Sequence, residues 1–504
     1  MKPVGFYIMV GCICLYLLYG LLSAIFLSGI SLDSYFFVRW VTAVSVYICV
    51  RFWVGRQNVL KLLVVVGVMQ AVLAISQQCG YFYNDNYAFQ IRGFFTNPGP
   101  MGGFQALSLV ADLYLLSRFR GRKYVVWICS IAAILIGYSL LLSDSRAAML
   151  ACITGVVVLF WKNVKEFLAV KRIRSVLIMP LIIIFVTILV IYRPKSASAR
   201  LLMWRVTAEM IVEKPLFGFG VGQFDENYQL YQAKYFEDNP DSDLVAVADN
   251  VGHPYNEFLH VLAEQGVMGG VLFLVLLLQA FRRSDRCLKA IFSALIMFSM
   301  FSYPSHVDGM FILFPVMFGL IERGNIGYNR CLMNIISVVL LIISASLCLR
   351  EYNFLKELDD VSELSIKEKG RAFDYYIDNF DRIKYYPDYN IFFSSLLDCT
   401  VSSVDRNKLE SILPTSETWC NIGDYYKNRG MDSIAVEYYR TASFMVPTRI
   451  MPNYQLWNLF VEKGNFREAD EYAEKIMSQP VKVENTVTLS IKGEVLRYLE
   501  DRKL

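Results

Sequence analysis

Up to about Leu349 the chain is a succession of apolar runs, each roughly 17–25 residues long and joined by short polar links. That is the length a helix needs to cross about 30 Å of hydrocarbon. Backbone amides and carbonyls inside lipid must be satisfied within their own segment, so such runs read as helices. Beyond Arg350 no comparable run remains, and charged residues become frequent. A 55% hydrophobic share with a mean hydropathy of +0.40 excludes an ordinary soluble domain for the whole chain. The expected fold class is all-α. A polytopic transmembrane helical bundle over 1–349 is followed by a soluble helical domain over 350–504.

The apolar runs predict about eleven spans, near 5–28, 34–54, 59–78, 98–117, 124–143, 146–161, 175–192, 256–281, 287–303, 307–321 and 331–349. The first is long, begins near Gly5 and reads as an anchor instead of a cleaved leader. Alternate loops are basic: Arg51, Arg56 and Lys61; Arg118, Arg120, Arg122 and Lys123; Lys162, Lys165, Lys171, Arg172 and Arg174; Arg282, Arg283, Arg286 and Lys289; Arg323 and Arg330. The positive-inside rule makes these loops cytoplasmic. Arg193 and Lys195 run against the pattern. The N-terminus is then inside. The tail lies outside, together with the 79–97 loop, the Ser143–Arg146 turn, the long 193–255 loop and the turn around Tyr303–Gly309. The net charge of +4 reflects these loops, and nucleic acid is not an expected partner.

Most of the eleven cysteines lie in apolar runs, where they act as small hydrophobes. Cys399 and Cys420 fall in the tail, where an oxidising compartment would permit a disulfide or leave both thiols free. From Trp419 the tail resembles a tetratricopeptide repeat (TPR), through Trp419, Ile422, Gly423, Tyr426, Ala435, Tyr439, Ala442 and Pro447. A weaker copy follows at a period of 34, pairing Gly430 with Gly464 and Ala435 with Ala469. Trp457 stands in it where Gly423 stands in the first. Such units bury their apolar faces by stacking, so further helices should cap them. The module is either a docking surface for a partner or acceptor, or a folded cap.

Several polar residues stand at the far-side face. Arg146, in Ser143-Asp144-Ser145-Arg146-Ala147, sits at the end of a span away from the basic loops. It either snorkels and pairs with Asp144, or serves as a fixed cation for an anionic substrate. A guanidinium suits phosphate because its planar fork donates two parallel hydrogen bonds and stays charged. Residues 199–213 read as an amphipathic helix ended by Pro215, with Arg200 and Arg205 as candidate phosphate ligands. Gly218, Gly220 and Gly222 follow no strand, which excludes a dinucleotide cradle. His253 stands at the mouth of the eighth span, near Asn256. His260 and Glu264, four apart, share one helical face. A histidine can accept a hydroxyl proton near neutral pH, whereas His260 also suits a structural hydrogen bond. His306 in Ser302-Tyr303-Pro304-Ser305-His306 also faces outward. Asp33 is a lone carboxylate, and Asp241-Ser242-Asp243 lies outside any nucleotide-binding context. No His/Cys group has zinc spacing, so no metal is expected.

Taken together, four stretches resemble the O-antigen ligase family, which includes related polymerases and bacterial protein O-oligosaccharyltransferases. They are Phe95-Thr96-Asn97-Pro98-Gly99-Pro100; Ser145-Arg146-Ala147; Arg200…Trp204…Pro215-Leu216-Phe217-Gly218-Phe219-Gly220; and His253…Asn256-Glu257-Phe258-Leu259…Glu264-Gln265-Gly266…Gly269. The resemblance covers about 90–320. Many members place a histidine directly before the asparagine; here that position is Tyr255, so His253 takes the part of the family's outer histidine. The resemblance implies a GT-C-type glycosyltransferase in the bacterial inner membrane, inverting and free of metal and cofactor. Its substrate would be a polyprenyl-diphosphate-linked glycan, moved to a periplasmic hydroxyl of lipid A–core. Arg146, Arg200 and Arg205 would hold the diphosphate, with His253 as the catalytic base or orienting group. Arg92, Asn256, His260 and Glu264 are supporting candidates.

A polymerase or a protein O-oligosaccharyltransferase is the alternative within the family. A transporter would show paired halves and broken helices at the midplane, but the notable charges lie at the interface. A scaffold acting through its repeats leaves eleven spans unexplained.

Overall fold

The computed structural model describes residues 2–30, 35–82, 89–169, 194–321, 330–364, 368–384, 386–397, 404, 406–482 and 484–503. The expected span at 175–192, together with Asp33, Lys171, Arg172, Arg174, Arg193, Arg323 and Cys399, lies outside them. Among the described residues every regular element is a helix. The chain divides into two units. The first comprises Met1–Leu22, Val38–Pro194 and Pro254–Leu347; the second comprises Ser23–Phe37, Lys195–His253 and Cys348–Leu504. In this division the 195–253 loop groups with the tail.

Among the described residues, six helices are long and apolar enough to cross a membrane: Ile8–Phe26, Tyr35–Phe52, Arg56–Gln78, Lys123–Leu142, Glu257–Arg283 and Cys331–Glu363. Four other expected spans are helical but shorter or more polar. Pro98–Arg118 carries Gln105, Ser108 and Asp112, all fully buried. Arg146–Leu159 has 14 residues, about 21 Å at 1.5 Å per residue. Arg286–Ser299 is equally short, and the 307–321 run holds the short apolar helix Asp308–Leu320.

The first unit is built on close helix approach, which small residues permit. Ala147, Ala148 and Ala151 on the Arg146–Leu159 helix are buried in one cluster with Ala290 and Ala294 of the Arg286–Ser299 helix. Gly155 continues this face: a methyl group there would lie 2.6 Å from Val110, 3.0 Å from Ala294 Cβ and 3.2 Å from the Ala290 carbonyl oxygen. Two polar side chains of the Pro98–Arg118 helix bond across the packing. Gln105 Nε2 donates to the Gly67 carbonyl at 3.1 Å and to Ser139 Oγ at 3.0 Å, and Ser108 Oγ donates to the Leu63 carbonyl at 3.2 Å.

In the second unit, Ser416–Lys427 pairs with Asp432–Met445, and Met451–Glu462 with Phe466–Ser478, followed by Thr486–Lys503. Residues 34 apart hold equivalent places. Gly430 and Gly464 turn between paired helices at φ +73° and +70°, while Ala435 and Ala469 are fully buried. Gly423 lets Tyr439 approach so closely that a Cβ would meet its ring at 2.5 Å. Trp457, its counterpart in the next pair, fills the second cluster instead. The Phe224–Asp238 helix joins the same unit. Gln232 Nε2 donates to the Met445 carbonyl at 2.6 Å, Asn250 Nδ2 to Glu417 Oε2 at 2.7 Å, and Lys482 Nζ to Asp249 Oδ2 at 2.6 Å. The Cys420 thiol is buried in this core.

Candidate functional site

Arg146 opens the Arg146–Leu159 helix because the preceding turn is sharply set. Ser143 Oγ donates to the Leu140 carbonyl at 2.6 Å and accepts from the Ser145 N–H at 3.3 Å. Asp144 adopts φ +48°, and Ser145 caps the helix by accepting from the Ala148 N–H at 3.3 Å. The half-buried guanidinium thus sits at the positive end of a helix, which itself favours an anion.

A second strained turn precedes the Glu257–Arg283 helix. Tyr255 adopts φ +52°, and its ring meets Tyr303 edge-on at 4.7 Å. Asn256 Oδ1 accepts from the N–H groups of Phe258 at 3.0 Å and Leu259 at 3.2 Å. Its side-chain carbonyl is therefore committed to capping the helix. Asp144 and Tyr255 are the non-glycine residues with positive φ among the described residues. Such strain costs about 1–3 kcal/mol per residue and concentrates where a functional geometry must be held. Further along, Gly266 at φ +61°, ψ −167° breaks the Glu257–Arg283 helix. That region of conformational space is essentially restricted to glycine.

His260 and Glu264 are buried, with His260 Nε2 3.4 Å from Glu264 Oε1. His260 Nδ1 lies 3.3 Å from His306 Nε2, the two rings meeting edge-on. Glu257 accepts from the Ser305 N–H at 2.7 Å and from its Oγ–H at 2.5 Å. Glu257, His260 and His306 present ligand atoms all within 4.8 Å of one another. The pairing joins residues 46 apart, so no local spacing announces it. Arg39, also missed, forms an ion pair with Asp308 at 3.1 Å, donates to the Ser305 carbonyl and lies 4.3 Å over the Phe311 ring. Its only signal in the sequence is a cation inside an apolar run.

Arg92 lies in a loop tied to the Arg56–Gln78 helix. Gln77 Oε1 accepts from the Arg92 and Gly93 N–H groups at 3.0 and 2.8 Å, and Gln70 Oε1 accepts from Phe94 at 3.0 Å. The Arg92 guanidinium donates to the Phe95 carbonyl at 3.1 Å. Arg92, Arg146, Asn256, His260 and Glu264 all belong to the first unit; His253, Arg200 and Arg205 belong to the second.

In the second unit, the expected helix over 199–213 is Pro194–Glu213. Arg200 and Arg205, five residues apart, project about 140° from each other around its axis. Half-buried Arg200 donates to Ser196 Oγ at 2.9 Å, whereas exposed Arg205 lies 5.0 Å over the Tyr235 ring. Gly218, Gly220 and Gly222 all have positive φ, and Ser28 Oγ holds this turn by donating to the Val221 carbonyl at 2.7 Å.

His253 is half-buried, and burial pushes its imidazole down from 6.5 to about 3. Next to it in the chain, Gly252 leaves room for Asp225: a Cβ there would lie 3.4 Å from Oδ2. Burial, and secondarily Glu226, pushes the Asp225 carboxyl up to about 7. The sequence reading missed Asp225, which is brought to this segment by the turn of the loop.

These two shifts act oppositely on stability. For His253, protonation favours the unfolded chain, so stability falls as pH drops from about 6.5 towards 3. For Asp225, the folded state holds its proton longer, so stability falls as pH rises from 3.8 to about 7. His253→Gln should therefore lose less stability than the native chain on going from pH 7 to pH 5. Asp225→Asn should lose less on the reverse change. Thermal midpoints of the purified chain at the two pH values measure both; equal pH dependence in all three proteins would refute the assignment.

The O-antigen ligase family matches residues 131–274. A Rickettsia conorii protein, provisionally named a polysaccharide ligase, is 29% identical over 182 residues, covering 33% of this chain and 41% of the relative. The chain thus matches about two fifths of that relative's length. The family match takes in Arg146 behind its strained turn, the 194–253 segment, the Asn256 cap, and the helix broken at Gly266. Over residues 131–274 the chain carries an O-antigen ligase domain.

Proposed function

We propose that the chain transfers a glycan from a polyprenyl-diphosphate carrier to an acceptor hydroxyl on the non-cytoplasmic side of the bacterial inner membrane, with lipid A–core as the acceptor. The observation that carries this reading is Arg146, a cation at a helix N-terminus behind a strained turn, inside the segment matched by the ligase family. In the reaction the acceptor oxygen bonds to the anomeric carbon while the bond from that carbon to the phosphate oxygen breaks. Attack from the side opposite the diphosphate inverts the centre. The departing diphosphate gains negative charge, which this reading assigns Arg146, Arg200 and Arg205 to stabilise. No cofactor and no metal enters this step.

His253 stays neutral across the physiological range, so it offers a ring nitrogen to the acceptor hydroxyl without needing to lose a proton first. Its weak basicity favours orienting the hydroxyl over early proton removal. On this reading Asp225, whose carboxyl is raised to about 7, takes the proton onward. Asn256 and Gly266 act as positioning residues by setting the start and the break of the Glu257–Arg283 helix. The five basic loops support a cytoplasmic N-terminus and a periplasmic tail. On this reading a reporter active only in the cytoplasm, fused after Leu504, is silent. The paired tail helices form a TPR-like surface for recruiting a macromolecular acceptor or protein partner.

A deletion strain distinguishes the acceptors. Full-length glycan stranded on its lipid carrier identifies a ligase, single capped repeats a polymerase, and loss of glycoprotein signal a protein O-oligosaccharyltransferase. Transfer by the purified chain from a lipid-linked glycan is expected; its failure with all three acceptor classes would overturn the enzyme reading in favour of transport or scaffolding.

A further inference from the structure

We infer that His260 Nδ1, His306 Nε2 and a Glu257 carboxylate oxygen form a binding site for a divalent transition cation of the zinc class. The cation would clip the Glu257–Arg283 helix to the Pro304–His306 turn.

The two ring nitrogens lie 3.3 Å apart. Two nitrogens on one tetrahedral zinc, each at about 2.0–2.1 Å, lie roughly 3.3–3.4 Å from each other. The pair is therefore already spaced as co-ligands. A Glu257 oxygen lies within 4.8 Å of both, and rotation of its side chain would supply a third ligand, leaving the fourth position to water.

The outer groups also suit a metal. A ligating imidazole characteristically gives its other N–H to a carboxylate, which fixes its tautomer and orientation. His260 has that partner in Glu264, 3.4 Å from Nε2. A ligating carboxylate is itself usually hydrogen-bonded. Glu257 receives both donors of Ser305, and Arg39 in turn donates to the Ser305 carbonyl. Nitrogen and carboxylate ligands with so few oxygens favour zinc-class ions over magnesium or calcium. Without the cation, buried His260, Glu257 and Glu264 sit beside the exposed imidazole of His306. With it, positive charge compensates them and the ligands are held in one arrangement. The site acts on architecture and uses none of the arginines assigned to the diphosphate, so it does not depend on the proposed transfer reaction.

The test uses the full-length chain in detergent, with any purification tag removed, stripped by chelator and titrated with Zn2+ and then Co2+. One equivalent should bind, with the intense visible absorption of a four-coordinate cobalt ion, and Zn2+ should raise the thermal midpoint. His260→Ala and His306→Ala should each weaken binding at least about 100-fold; Glu264→Gln, which leaves every ligand in place, should weaken it about 10–100-fold. His253→Ala, altering the remaining histidine, should leave metal affinity unchanged. If either ligand variant fails to fold, the cobalt spectrum of the native chain and the Glu264→Gln affinity still decide. Absence of stoichiometric binding, six-coordinate cobalt, or affinity insensitive to these variants would overturn the assignment.

Discussion

Arg146→Ala is expected to reduce glycan transfer by about 10²–10³-fold, the usual consequence of deleting one preorganised group that stabilises developing negative charge. The thermal midpoint should change far less than the rate, because Ser143 and Ser145 hold the turn through their own hydrogen bonds. Arg146→Lys should fall between the native chain and the alanine variant. An ammonium keeps the charge but lacks the planar fork that matches two phosphate oxygens. The measurement is the initial rate with purified lipid-linked glycan, alongside a thermal melt. Native rates in a correctly folded Arg146→Ala protein would remove Arg146 from the site and with it the main support for the proposed reaction.

Gly155→Leu should damage the fold of the first unit more than any comparable change on its lipid-facing surface. The glycine sits where the Arg146–Leu159 helix meets Val110 and the Ala290–Ala294 face, and one neighbour is backbone. Backbone cannot rotate away, so the helices must separate. Overpacking a close contact costs about 1–3 kcal/mol and sometimes more. Because this helix carries Arg146 at its first position, transfer should fall with the midpoint. Gly137→Leu is the matched comparison: a Cβ there meets nothing within 4 Å, so a shift within about 0.5 kcal/mol is expected. Equal melting of the two variants would contradict the packing argument.

Much of this architecture is legible along the chain because its signals are local. Apolar length, capping residues and glycine turns report on a few neighbouring residues at a time. Most expected helices therefore stand near their expected positions, including Pro194–Glu213 and the helix beginning after Asn256. The shorter elements show where that logic ends. A run of apolar residues at 307–321 does not reveal that its helix is only as long as Asp308–Leu320. The polar character of Gln105 and Ser108 makes sense only against Gly67, Ser139 and Leu63 on neighbouring helices.

The candidate site divides in the same way. Arg146 and His253 are legible because their residue types are unusual for their surroundings, and Asn256 as a helix-opening residue because capping is local. By itself the sequence determined a helical membrane chain with a helical tail and a family resemblance, and it nominated candidate arginines and histidines. Tertiary structure alone decided which of them meet. It brought His306 to His260 and Ser305 to Glu257 across nearly fifty residues, set Asp225 against Gly252, and grouped the 195–253 loop with the tail. The physical reason is that side-chain chemistry acts over a few ångströms. Only chain folding brings sequence-distant groups within that range.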